Sequence, residues 1–400
     1  MDKLVVTALM PCLNEAETIA TCVKKAKACI ERMGVPGEVV VADNGSTDGS
    51  IELALRHGAR VVHQPMKGYG AALMAGIEVA RGEIIVMGDS DDSYDWTAFD
   101  PLVAKAQEGY DLVMGNRFKG EIKPGAMPFL HKYLGNPVLS FLGRLFFKAP
   151  VGDFHCGMRA FRKDAIQRIK LETPGMEFAS EMVVKASLHG LRFAEVPLTL
   201  WPDGRSRPPH LRTWRDGWRH LKFLLLYSPR WLFLLPGLAL LLLGAVGLAM
   251  ISQQGVLIGN IGLDIHSLAY AGAATVLGAQ MALFAVFTKL LGIRSGWLPA
   301  DPAFERIMQK VSLEAGLIFA LILLTLGIVL TVQAVSAWSA TEFSALDPRI
   351  TMRKVVPAVT ALTLSGELLL ASFFLEVIRV RRPGENPLPP LRISDPAPSN

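Results

Sequence analysis

Up to about Tyr227, short apolar runs alternate with amphipathic segments along the chain. Runs rich in apolar and β-branched residues predict strands, and these are 4–10, 38–43, 60–63, 84–88, 110–115 and 192–197. Residues 15–33 predict a helix, because their apolar positions recur with a period of about 3.6 residues, and a further helix is expected over 172–189. Strands that alternate with helices at this spacing predict an α/β domain with a mostly parallel, doubly wound sheet.

Four long apolar runs follow, over residues 231–251, 268–291, 315–338 and 356–378. Each has about the 20 residues that are needed to cross a hydrocarbon core about 30 Å thick. We therefore expect a four-helix transmembrane domain over 231–380. Lys and Arg are absent from the loop 252–267 but present in the following loop and in the tail, which predicts cytosolic termini. The basic loop around Arg353 would then lie outside, against the rule.

Two other segments combine apolar, aromatic and basic residues. Residues 128–147 are too interrupted to span a bilayer, and they fit either a helix at the membrane interface or a core helix. Residues 203–230 carry seven Lys or Arg, with Trp214 and Trp218 one helical turn apart. This pattern predicts a basic, amphipathic membrane-surface segment between a cytosolic domain, 1–202, and the transmembrane helices. The Pro- and Ser-rich tail, 381–400, is predicted to be disordered in the cytosol.

Polar clusters follow the predicted strands at the points where the strands end. They are Asn14/Glu15, Asp43–Asp48, Lys67–Gly70, Asp89–Asp92 and Asn116/Arg117. Each alone is compatible with a solvated loop. In doubly wound sheets, however, ligands bind beyond the carboxyl ends of the strands. Five polar clusters at one edge therefore predict a nucleotide-type site there.

Four carboxylates fall within seven residues directly after the strand 84–88, at Asp89, Asp91, Asp92 and Asp95. The spacing of Asp89 and Asp91 brings two hard oxygen ligands together, which suits Mg²⁺ or Mn²⁺ holding a diphosphate. An isolated acidic turn is more often a solvated helix cap, and Asp92 and Asp95 fit that role. The neighbouring polar strand ends favour a metal site for Asp89 and Asp91.

The formal net charge is +5, and basic residues are concentrated just before the first apolar run. This distribution favours anionic lipid headgroups over nucleic acid. Nucleic-acid binding is not expected, because no zinc-finger or RNA-binding signature is present. The four cysteines, Cys12, Cys22, Cys29 and Cys156, show no metal-ligand spacing, which indicates a reducing compartment.

Several of these segments together resemble, in order and spacing, the family 2 glycosyltransferases with the GT-A fold. They are Met10–Glu15, Ala42–Asp48, Lys67–Gly70 and Asp89–Asp91. Gly115–Arg117 and Asp153–Arg159 resemble the branch of dolichol-phosphate mannose/glucose synthases, also called polyprenyl-phosphate glycosyltransferases. The resemblance covers about residues 1–227. It implies a Rossmann-like GT-A domain and inverting transfer of a hexose from UDP-glucose or GDP-mannose to a polyprenyl phosphate, with Mg²⁺ or Mn²⁺ as cofactor.

The resemblance also assigns residues to the donor. Pro11, Asn14 and Glu15 would line the base and ribose, and Asp43 would accept a hydrogen bond from the base. Asp89 and Asp91 would bind the metal between the donor phosphates, with Ser93 where some relatives supply a further ligand. The full set implied for the nucleotide sugar is Pro11, Asn14, Glu15, Asp43, Ser46, Lys67, Gly68, Asp89, Ser90 and Arg117.

The acceptor decides whether a general base is needed. An alcohol needs one, and Asp153 and Glu181 are the candidates. A lipid monophosphate has a second pKa of about 6 and is mostly dianionic at neutral pH, so it needs cations instead. Arg205, Ser206 and Arg207 lie where the branch has a basic Ser motif that meets the lipid phosphate. Arg159 is a further candidate phosphate ligand, and Asp153 and Glu181 would then orient the arginines.

Two alternative functions stay open. One is a membrane polysaccharide or glycolipid synthase with an alcohol acceptor, although processive synthases usually carry Gln-x-x-Arg-Trp and Thr213–Trp218 does not match it. The other is a non-catalytic membrane partner protein, against which the intact Asp89/Asp91 pair argues. A homo-oligomer is compatible with the sequence, which does not decide the oligomeric state.

Overall fold

The computed structural model describes residues 5–206 and 213–379, so Arg207 and the predicted disordered tail lie outside the described residues. The chain divides into two units, Met1–Leu232 and Phe233–Asn400. The first contains a sheet with helices on both faces, and the second contains the long apolar helices.

The described strands of the first unit form one seven-stranded sheet with the order β3-β2-β1-β4-β6-β5-β7. These strands are β1 (Val6–Cys12), β2 (Gly37–Asp43), β3 (Arg60–His63), β4 (Ile84–Met87), β5 (Leu112–Ile122), β6 (Arg159–Arg162) and β7 (Phe193–Leu200). All neighbouring pairs are parallel except the two that involve β6, which is antiparallel to both β4 and β5. The mostly parallel α/β sheet expected from the sequence is confirmed.

The helices of the first unit lie between these strands and after the last one. They are α1 (Ile19–Met33), α2 (Ser50–Arg56), α3 (Tyr69–Val79), α4 (Asp100–Gln107), α5 (Asn136–Phe147), α6 (Lys163–Arg168), α7 (Phe178–Leu188) and α8 (Thr213–Leu226). Apolar side chains of α1 and α4 pack on one face of the sheet, and those of α3 and α7 pack on the other. The apolar stripe of α1 is buried as its periodicity predicted, and the helix ends at Gly34 with a φ of 65°.

Two local patterns are misleading. The polar, glycine-punctuated sequence of residues 151–161 predicts a loop, but Arg159–Arg162 forms β6 and pairs with both β4 and β5. The helix expected from Glu172 begins only at Phe178. The reason is the Pro174-Gly175 pair, since proline disfavours helical backbone in the residue before it and glycine weakens a helix.

Helices α5 and α8 each have a buried face and an exposed apolar face. On α5, Gly143 and Phe147 are buried while Phe141 is 55% exposed, and Phe129 in the preceding segment is 77% exposed. On α8, Phe223 and Leu224 are buried, whereas Trp214 and Trp218 are exposed. One face of residues 128–147 is therefore buried, as in a core helix, and the other face is exposed and apolar, as in a helix at the membrane interface.

Among the described residues, four helices are long and apolar enough to cross a membrane: Arg230–Ile251, Ile265–Arg294, Leu313–Ser339 and Pro348–Arg379. Their regular α-helical parts are α9 (Leu235–Ile251), α10 (Ile265–Arg294), α12 (Leu313–Ser339) and α13 (Pro348–Arg379). A hairpin of β8 (Val256–Ile258) and β9 (Ile261–Leu263) joins the first two, and α11 (Pro302–Lys310) precedes α12.

Small residues allow these helices to approach closely. A Cβ added at Gly278 of α10 would lie 2.3 Å from the backbone nitrogen of Leu241 of α9. A Cβ at Gly316 of α12 would meet the hydroxyl of Ser372 on α13. Close backbone approach at small residues is the usual packing of helices in a bilayer, where burial of apolar surface does not drive association.

Arg353, which contradicts the charge rule for orientation, is held within the second unit. Its guanidinium lies 2.5 Å from the Asp264 carboxylate and donates to the carbonyl of Ile251. These two contacts of Arg353 therefore join α13 to the ends of α9 and α10 that adjoin the β8–β9 hairpin.

Candidate functional site

The turns that follow β1 and β2 are bound to one another at the carboxyl edge of the sheet. The amide of Asn14 donates to Ser46 Oγ (2.9 Å), and the amide of Thr47 donates back to Asn14 Oδ1 (2.8 Å). The amide of Glu15 donates to Ser50 Oγ (2.8 Å). Asn14 has a φ of 58°, a left-handed conformation that asparagine tolerates better than most residues. The structure thus brings together three residues of the set expected at the nucleotide sugar, Asn14, Glu15 and Ser46.

Asp43, at the end of β2, is buried and supports its own turn. Its carboxylate accepts hydrogen bonds from the amides of Gly45 and Ser46, both at 3.0 Å, and lies 3.3 Å from His63 Nδ1. Burial alone would raise the pKa of Asp43, but the hydrogen bonds from Ser46 and Gly45 outweigh it, so the pKa lies below its ordinary value. Asp43 is therefore an ionised acceptor at neutral pH.

The segment Lys67–Gly70 closes over the same edge. Lys67 Nζ donates to the carbonyl of Asn44 (2.8 Å), and the amide of Gly68 donates to Asn44 Oδ1 (2.7 Å). Gly68 has a φ of 144°, and a Cβ there would lie 2.1 Å from the carbonyl oxygen of Pro174. Only glycine fits this backbone and this contact. Tyr69, which the sequence analysis did not single out, donates from its hydroxyl to Asp89 Oδ1 (3.0 Å).

Asp89 and Asp91 lie directly beyond β4, as expected. Asp91 Oδ1 accepts from the amide and hydroxyl of Ser93, at 3.1 and 2.6 Å. Burial and then the charge of Asp91 raise the pKa of Asp89 to about 6. Ser93 orients Asp91 in this structure, and Ser90 donates to the carbonyl of Pro11 (2.6 Å), which joins the Asp89 turn to the β1 turn.

Asp92 and Asp95 have structural roles, but neither caps α4 as expected, since α4 begins at Asp100 and its N-cap residue, Phe99, has no side-chain cap hydrogen bond. Asp92 has a φ of 61° and forms an ion pair with Lys25 at 2.7 Å. Asp95 accepts from the amide and hydroxyl of Thr97 in the turn before α4, at 2.9 and 2.6 Å. Both carboxylates hold the backbone around the Asp89/Asp91 pair.

Residues 201–206, here called the strap, lie against this carboxylate pair. The amide of Gly204 donates to the carbonyl of Asp91 (2.9 Å), and the amide of Trp201 donates to the carbonyl of Ser93 (2.9 Å). Arg205 Nη2 lies 2.6 Å from Asp91 Oδ2. Its Nη1 lies 3.1 Å from Glu15 Oε1.

Arg205 and Ser206 were expected at the lipid phosphate, and the structure places them against the carboxylates of Asp91, Glu15 and Glu17. The amide and hydroxyl of Ser206 donate to Glu17, at 2.7 and 2.5 Å. A cavity of about 220 Å³ beside the strap is lined by Asn14, Glu15, Glu17, Thr47, Asp48 and Arg205. Arg205 therefore faces both the candidate metal ligand Asp91 and this cavity.

Arg117 was expected to follow a strand, but β5 continues to Ile122, so Arg117 lies within it and forms a buried ion pair with Asp153. Arg117 Nε and Nη2 lie 2.7 and 2.8 Å from the two Asp153 oxygens, and the Arg117 amide also donates to Asp153 Oδ2 (3.1 Å). The Arg117 charge acts on Asp89 and lowers its pKa, although less than burial raises it. Asp153 thus orients Arg117. The general-base role considered for Asp153 does not suit a carboxylate with both oxygens in an ion pair and no exposed surface.

Glu181 is also unsuited to act as a base. Its buried carboxylate accepts from the amides of Glu172 and Thr173 and from the Thr173 hydroxyl, at 2.6 to 3.1 Å, and pairs with Lys185 at 2.9 Å. These bonds hold the turn whose carbonyls pack on Gly68 and Gly70. Glu181 shapes the backbone near Tyr69.

Arg159 was expected at a phosphate, and the structure contradicts this. Its side chain is fully buried. The guanidinium donates to the carbonyl of Cys156 (2.6 Å) and to that of Ala179 (3.1 Å). Because its donors serve backbone carbonyls of β6's preceding loop and of α7, Arg159 joins these elements.

The carboxylate oxygens of Asp89 and Asp91 are the kind of ligand that a hard divalent cation prefers. Burial and then the charge of Asp91 raise the pKa of Asp89 to about 6, and the guanidinium of Arg205 already occupies a cation position on Asp91. Among the described residues no group of three or more His, Cys, Asp or Glu could hold a metal alone. Phosphate oxygens and water would have to complete the shell, as is usual for Mg²⁺.

The position of Arg205 gives a prediction for metal binding without any substrate. In Arg205→Ala, Asp91 loses a competing cation, so we expect Mn²⁺ to bind the free protein about tenfold more tightly, which corresponds to about 1.4 kcal/mol. Electron paramagnetic resonance of unbound Mn²⁺ measures this affinity. Arg56→Ala, which removes an exposed arginine from α2, is the matched control. Equal affinities in Arg205→Ala and wild type would show that the strap does not compete with the metal.

Comparisons with known proteins show which family the chain resembles. Residues 7–170 match the family model described as Glycosyl transferase family 2, and residues 286–379 match Glycosyltransferase family 2 C-terminal transmembrane region. The chain is 37% identical over 372 residues to the Low-salt glycan biosynthesis hexosyltransferase Agl6 of Haloferax volcanii, a match that covers 92% of this chain and 88% of the relative. It is 31% identical to the Dolichyl-phosphate hexose transferase of the same organism, over 48% of this chain and 80% of the relative.

A solved structure with a similar sheet is glucosyl-3-phosphoglycerate synthase from Mycobacterium tuberculosis in complex with Mn²⁺, uridine diphosphate and phosphoglyceric acid. It is 24% identical, covers 51% of this chain and 72% of its own, and has a TM-score of 0.42.

The first family match, over residues 7–170, lies in the sheet unit, and the second, over residues 286–379, lies among the apolar helices. They confirm the fold class, a GT-A domain followed by a transmembrane region with four apolar helices among the described residues, and they make the protein a multi-pass membrane protein. The long match to a hexosyltransferase also confirms the family suggested by the motifs. The chain belongs to the family 2 glycosyltransferases, as a member with a C-terminal transmembrane region.

Proposed function

We propose that this protein is a metal-dependent, inverting hexosyltransferase that moves glucose or mannose from UDP-glucose or GDP-mannose to a polyprenyl or dolichyl phosphate. The observation that carries the choice of acceptor is the state of the two candidate bases. Asp153 and Glu181 are both fully buried and both held in ion pairs. A lipid phosphate needs no general base, because it is already mostly dianionic at neutral pH.

The donor would lie along the carboxyl edge of the sheet. Asn14, Glu15 and Asp43 are placed to meet the base and ribose beside the cavity at the β1 and β2 turns. Asp89 and Asp91 would hold the metal, which as a Lewis acid would offset the charge of the departing nucleoside diphosphate. Tyr69 keeps Asp89 oriented, and Ser93 keeps Asp91 oriented.

Cations near the site would serve the phosphates. Arg117 is oriented by Asp153 and its charge reaches Asp89, so it is a candidate ligand for a phosphate oxygen of donor or acceptor. Arg205 contacts Asp91 in the free protein, and a bound metal would release its guanidinium for a phosphate. Arg159 is not proposed as a phosphate ligand, because its guanidinium is buried among backbone carbonyls.

A lipid acceptor agrees with the surface of the first unit. Phe129, Phe141, Trp214 and Trp218 are exposed on α5, α8 and the segment before α5, and basic residues accompany them. Aromatic side chains beside Lys and Arg are typical of helices that lie in the membrane interface. The Lys and Arg distribution between the apolar helices supports a cytosolic location for this unit. The relative named as a dolichyl-phosphate hexose transferase supports a lipid phosphate as acceptor.

The alternative is a polysaccharide or glycolipid synthase with an alcohol acceptor. It would need a carboxylate free to take the proton of the attacking hydroxyl. A non-catalytic partner protein is less consistent with the preserved Asp89/Asp91 pair and its supporting bonds.

A direct assay tests the proposal. Membranes containing the protein are supplied with Mn²⁺, polyprenyl phosphate and either labelled UDP-glucose or labelled GDP-mannose. We expect label from one donor to enter a chloroform-soluble product that mild acid releases, and none without added lipid phosphate. Label that stays in an aqueous polymer, or that enters a product stable to mild acid, would contradict the lipid-phosphate acceptor.

A further inference from the structure

Two histidines and one serine connect three separate elements of the first unit. His155 lies in the loop before β6, Ser180 lies on α7, and His220 lies on α8. Ser180 Oγ is 3.0 Å from His155 Nε2 and 2.8 Å from His220 Nδ1. The two imidazole rings have centroids 4.6 Å apart. The proposed transfer reaction uses none of these three residues.

The hydrogen bonds are satisfied when both imidazoles are neutral. A serine hydroxyl has one proton and two lone pairs, so Ser180 can donate to one neutral ring and accept from the other. His155 Nδ1 is buried, and no described residue forms a hydrogen bond with it. We therefore assign the proton of His155 to Nε2, which donates to Ser180, and Ser180 then donates to His220 Nδ1. A second proton on His155 Nδ1 would be a buried N–H without an acceptor, which costs about 1–3 kcal/mol.

The surrounding charges also disfavour a charged His155. Arg117 and Arg159 face it from the sheet, and His220 faces it from α8. Burial, followed by these groups, lowers the pKa of His155 well below its ordinary value. From α7 the contact is the neutral hydroxyl of Ser180, and the neighbouring Glu181 is turned toward Glu172 and Thr173.

His220 is affected by fewer charges. Burial lowers the pKa of His220 to about 4, and the carboxylate of Asp216, one turn earlier on α8, opposes part of this shift. The group that α5 contributes near His155 is also neutral: the hydroxyl of Ser140 accepts a hydrogen bond from the amide of Phe154, the residue before His155.

The loop that carries His155 also carries Asp153, two residues earlier, which holds Arg117. On the other side, α8 carries the exposed Trp214 and Trp218. We propose that His155, Ser180 and His220 are positioning residues that form an acid-sensitive clasp, which holds helix α8 to the loop that orients Arg117. The clasp depends on the fold and not on the identity of donor or acceptor.

The direction of the pH effect follows from the neutral rings. When α8 leaves, the imidazole of His220 loses its burial and returns to an ordinary pKa of about 6.5, whereas Arg117 and Arg159 still act on His155 and keep its pKa low. The clasp is therefore complete above about pH 6.5 and weakens as the pH falls below it, over a window that extends to about 4 for His220. At about pH 5.5 protonation of His220 favours release of α8 by roughly tenfold.

Hydrogen exchange of the full-length protein in detergent tests the clasp without any transfer assay. After correction for intrinsic exchange rates, we expect the opening constant of peptides from α8 to rise by roughly tenfold between about pH 7.5 and about pH 5.5. Peptides from β1 report on global unfolding and should keep their protection. Unchanged protection of α8 in the wild type at the lower pH would overturn the proposal.

Variants separate the clasp from a general packing effect. His155→Gln with His220→Asn keeps a hydrogen-bonding amide near each ring nitrogen but cannot titrate, so exchange in α8 should change less than about threefold over the same range. His189→Gln, at the end of α7, should behave as wild type. Ser180→Ala should open α8 at both pH values.

Each outcome bears on the clasp. A double variant with the same pH response as wild type, or full protection of α8 in Ser180→Ala, would show that the clasp does not hold the helix. If the double variant does not fold, the wild-type pH series decides alone. Failure of the lipid-phosphate assay would leave these exchange results unchanged, so the two proposals fail independently.

Discussion

Asp91→Ala is expected to reduce sugar transfer by about a thousandfold or more, which corresponds to about 4 kcal/mol of lost transition-state stabilisation. Asp91 Oδ2 is the carboxylate oxygen that holds a cation in this structure, the guanidinium of Arg205. Removing it leaves Asp89 as one carboxylate where the proposed diphosphate site needs two. Initial rates at saturating donor, with Mn²⁺ binding measured separately, distinguish loss of the metal from loss of the fold.

The adjacent Asp92 offers a matched control. It has the same charge, but it pairs with Lys25 and not with Arg205. Its φ of 61° is one that asparagine also adopts readily. Asp92→Asn should therefore keep transfer within about threefold of wild type, since loss of a partly exposed ion pair costs about 1 kcal/mol or less. Normal transfer and normal Mn²⁺ affinity in Asp91→Ala would refute the role of this residue in metal binding.

The same carboxylates predict the pH dependence of metal binding. The pKa of Asp89 is raised to about 6 by burial and by Asp91, so this carboxyl takes up a proton as the pH falls through about 6. Protonated Asp89 is a poor ligand, and Mn²⁺ affinity should fall by about tenfold for each pH unit below that value. For the metal-free fold the sign is opposite: a raised pKa means that the ionised carboxyl destabilises the protein, so stability decreases as the pH rises from about 4 to about 6. Calorimetric titration with Mn²⁺ between about pH 5 and pH 7.5 measures the first effect.

The positions of the polar strand ends could be predicted because they follow from local patterns. Alternating strands and helices specify a parallel sheet, and a parallel sheet brings the ends of β1, β2 and β4 to one edge. Asn14, Asp43 and Asp89 therefore came together as expected. Long apolar runs likewise predict membrane-spanning helices from composition alone.

Contacts between distant segments could not be predicted in this way. Arg205 contacts Asp91, which is 114 residues away in the sequence. Arg159, on β6, donates to the carbonyl of Ala179, on α7. An arginine that binds a phosphate and one that is buried among carbonyls look alike in sequence, so Arg159 was assigned wrongly. β6 has only four residues, and its place between β4 and β5 depends on tertiary pairing. The Tyr69 hydroxyl could have been suspected, since it lies between two glycines at the start of a helix.

Asp153→Asn is expected to destabilise the first unit by about 3–5 kcal/mol, because it leaves the buried Arg117 guanidinium without a counter-charge. Asp153 has no exposed surface and binds Arg117 through three hydrogen bonds, so water cannot replace the lost carboxylate. For a unit of this size the thermal midpoint should fall by roughly 6–20 °C. Thermal unfolding followed by far-UV circular dichroism, with the apolar helices kept in detergent, measures the shift.

A double replacement separates the stability of this pair from its function. In Arg117→Leu with Asp153→Leu no charge is left buried, so most of the lost stability should return. Transfer should not return, because the proposed phosphate ligand is absent, and the loss should be about a hundredfold or more in kcat/KM. If the stabilised double variant regained wild-type transfer, Arg117 would be a structural residue only. If Asp153→Asn alone were as stable as wild type, another carboxylate would have to balance the charge of Arg117. Asp89 is a candidate, because the charge of Arg117 lowers its pKa.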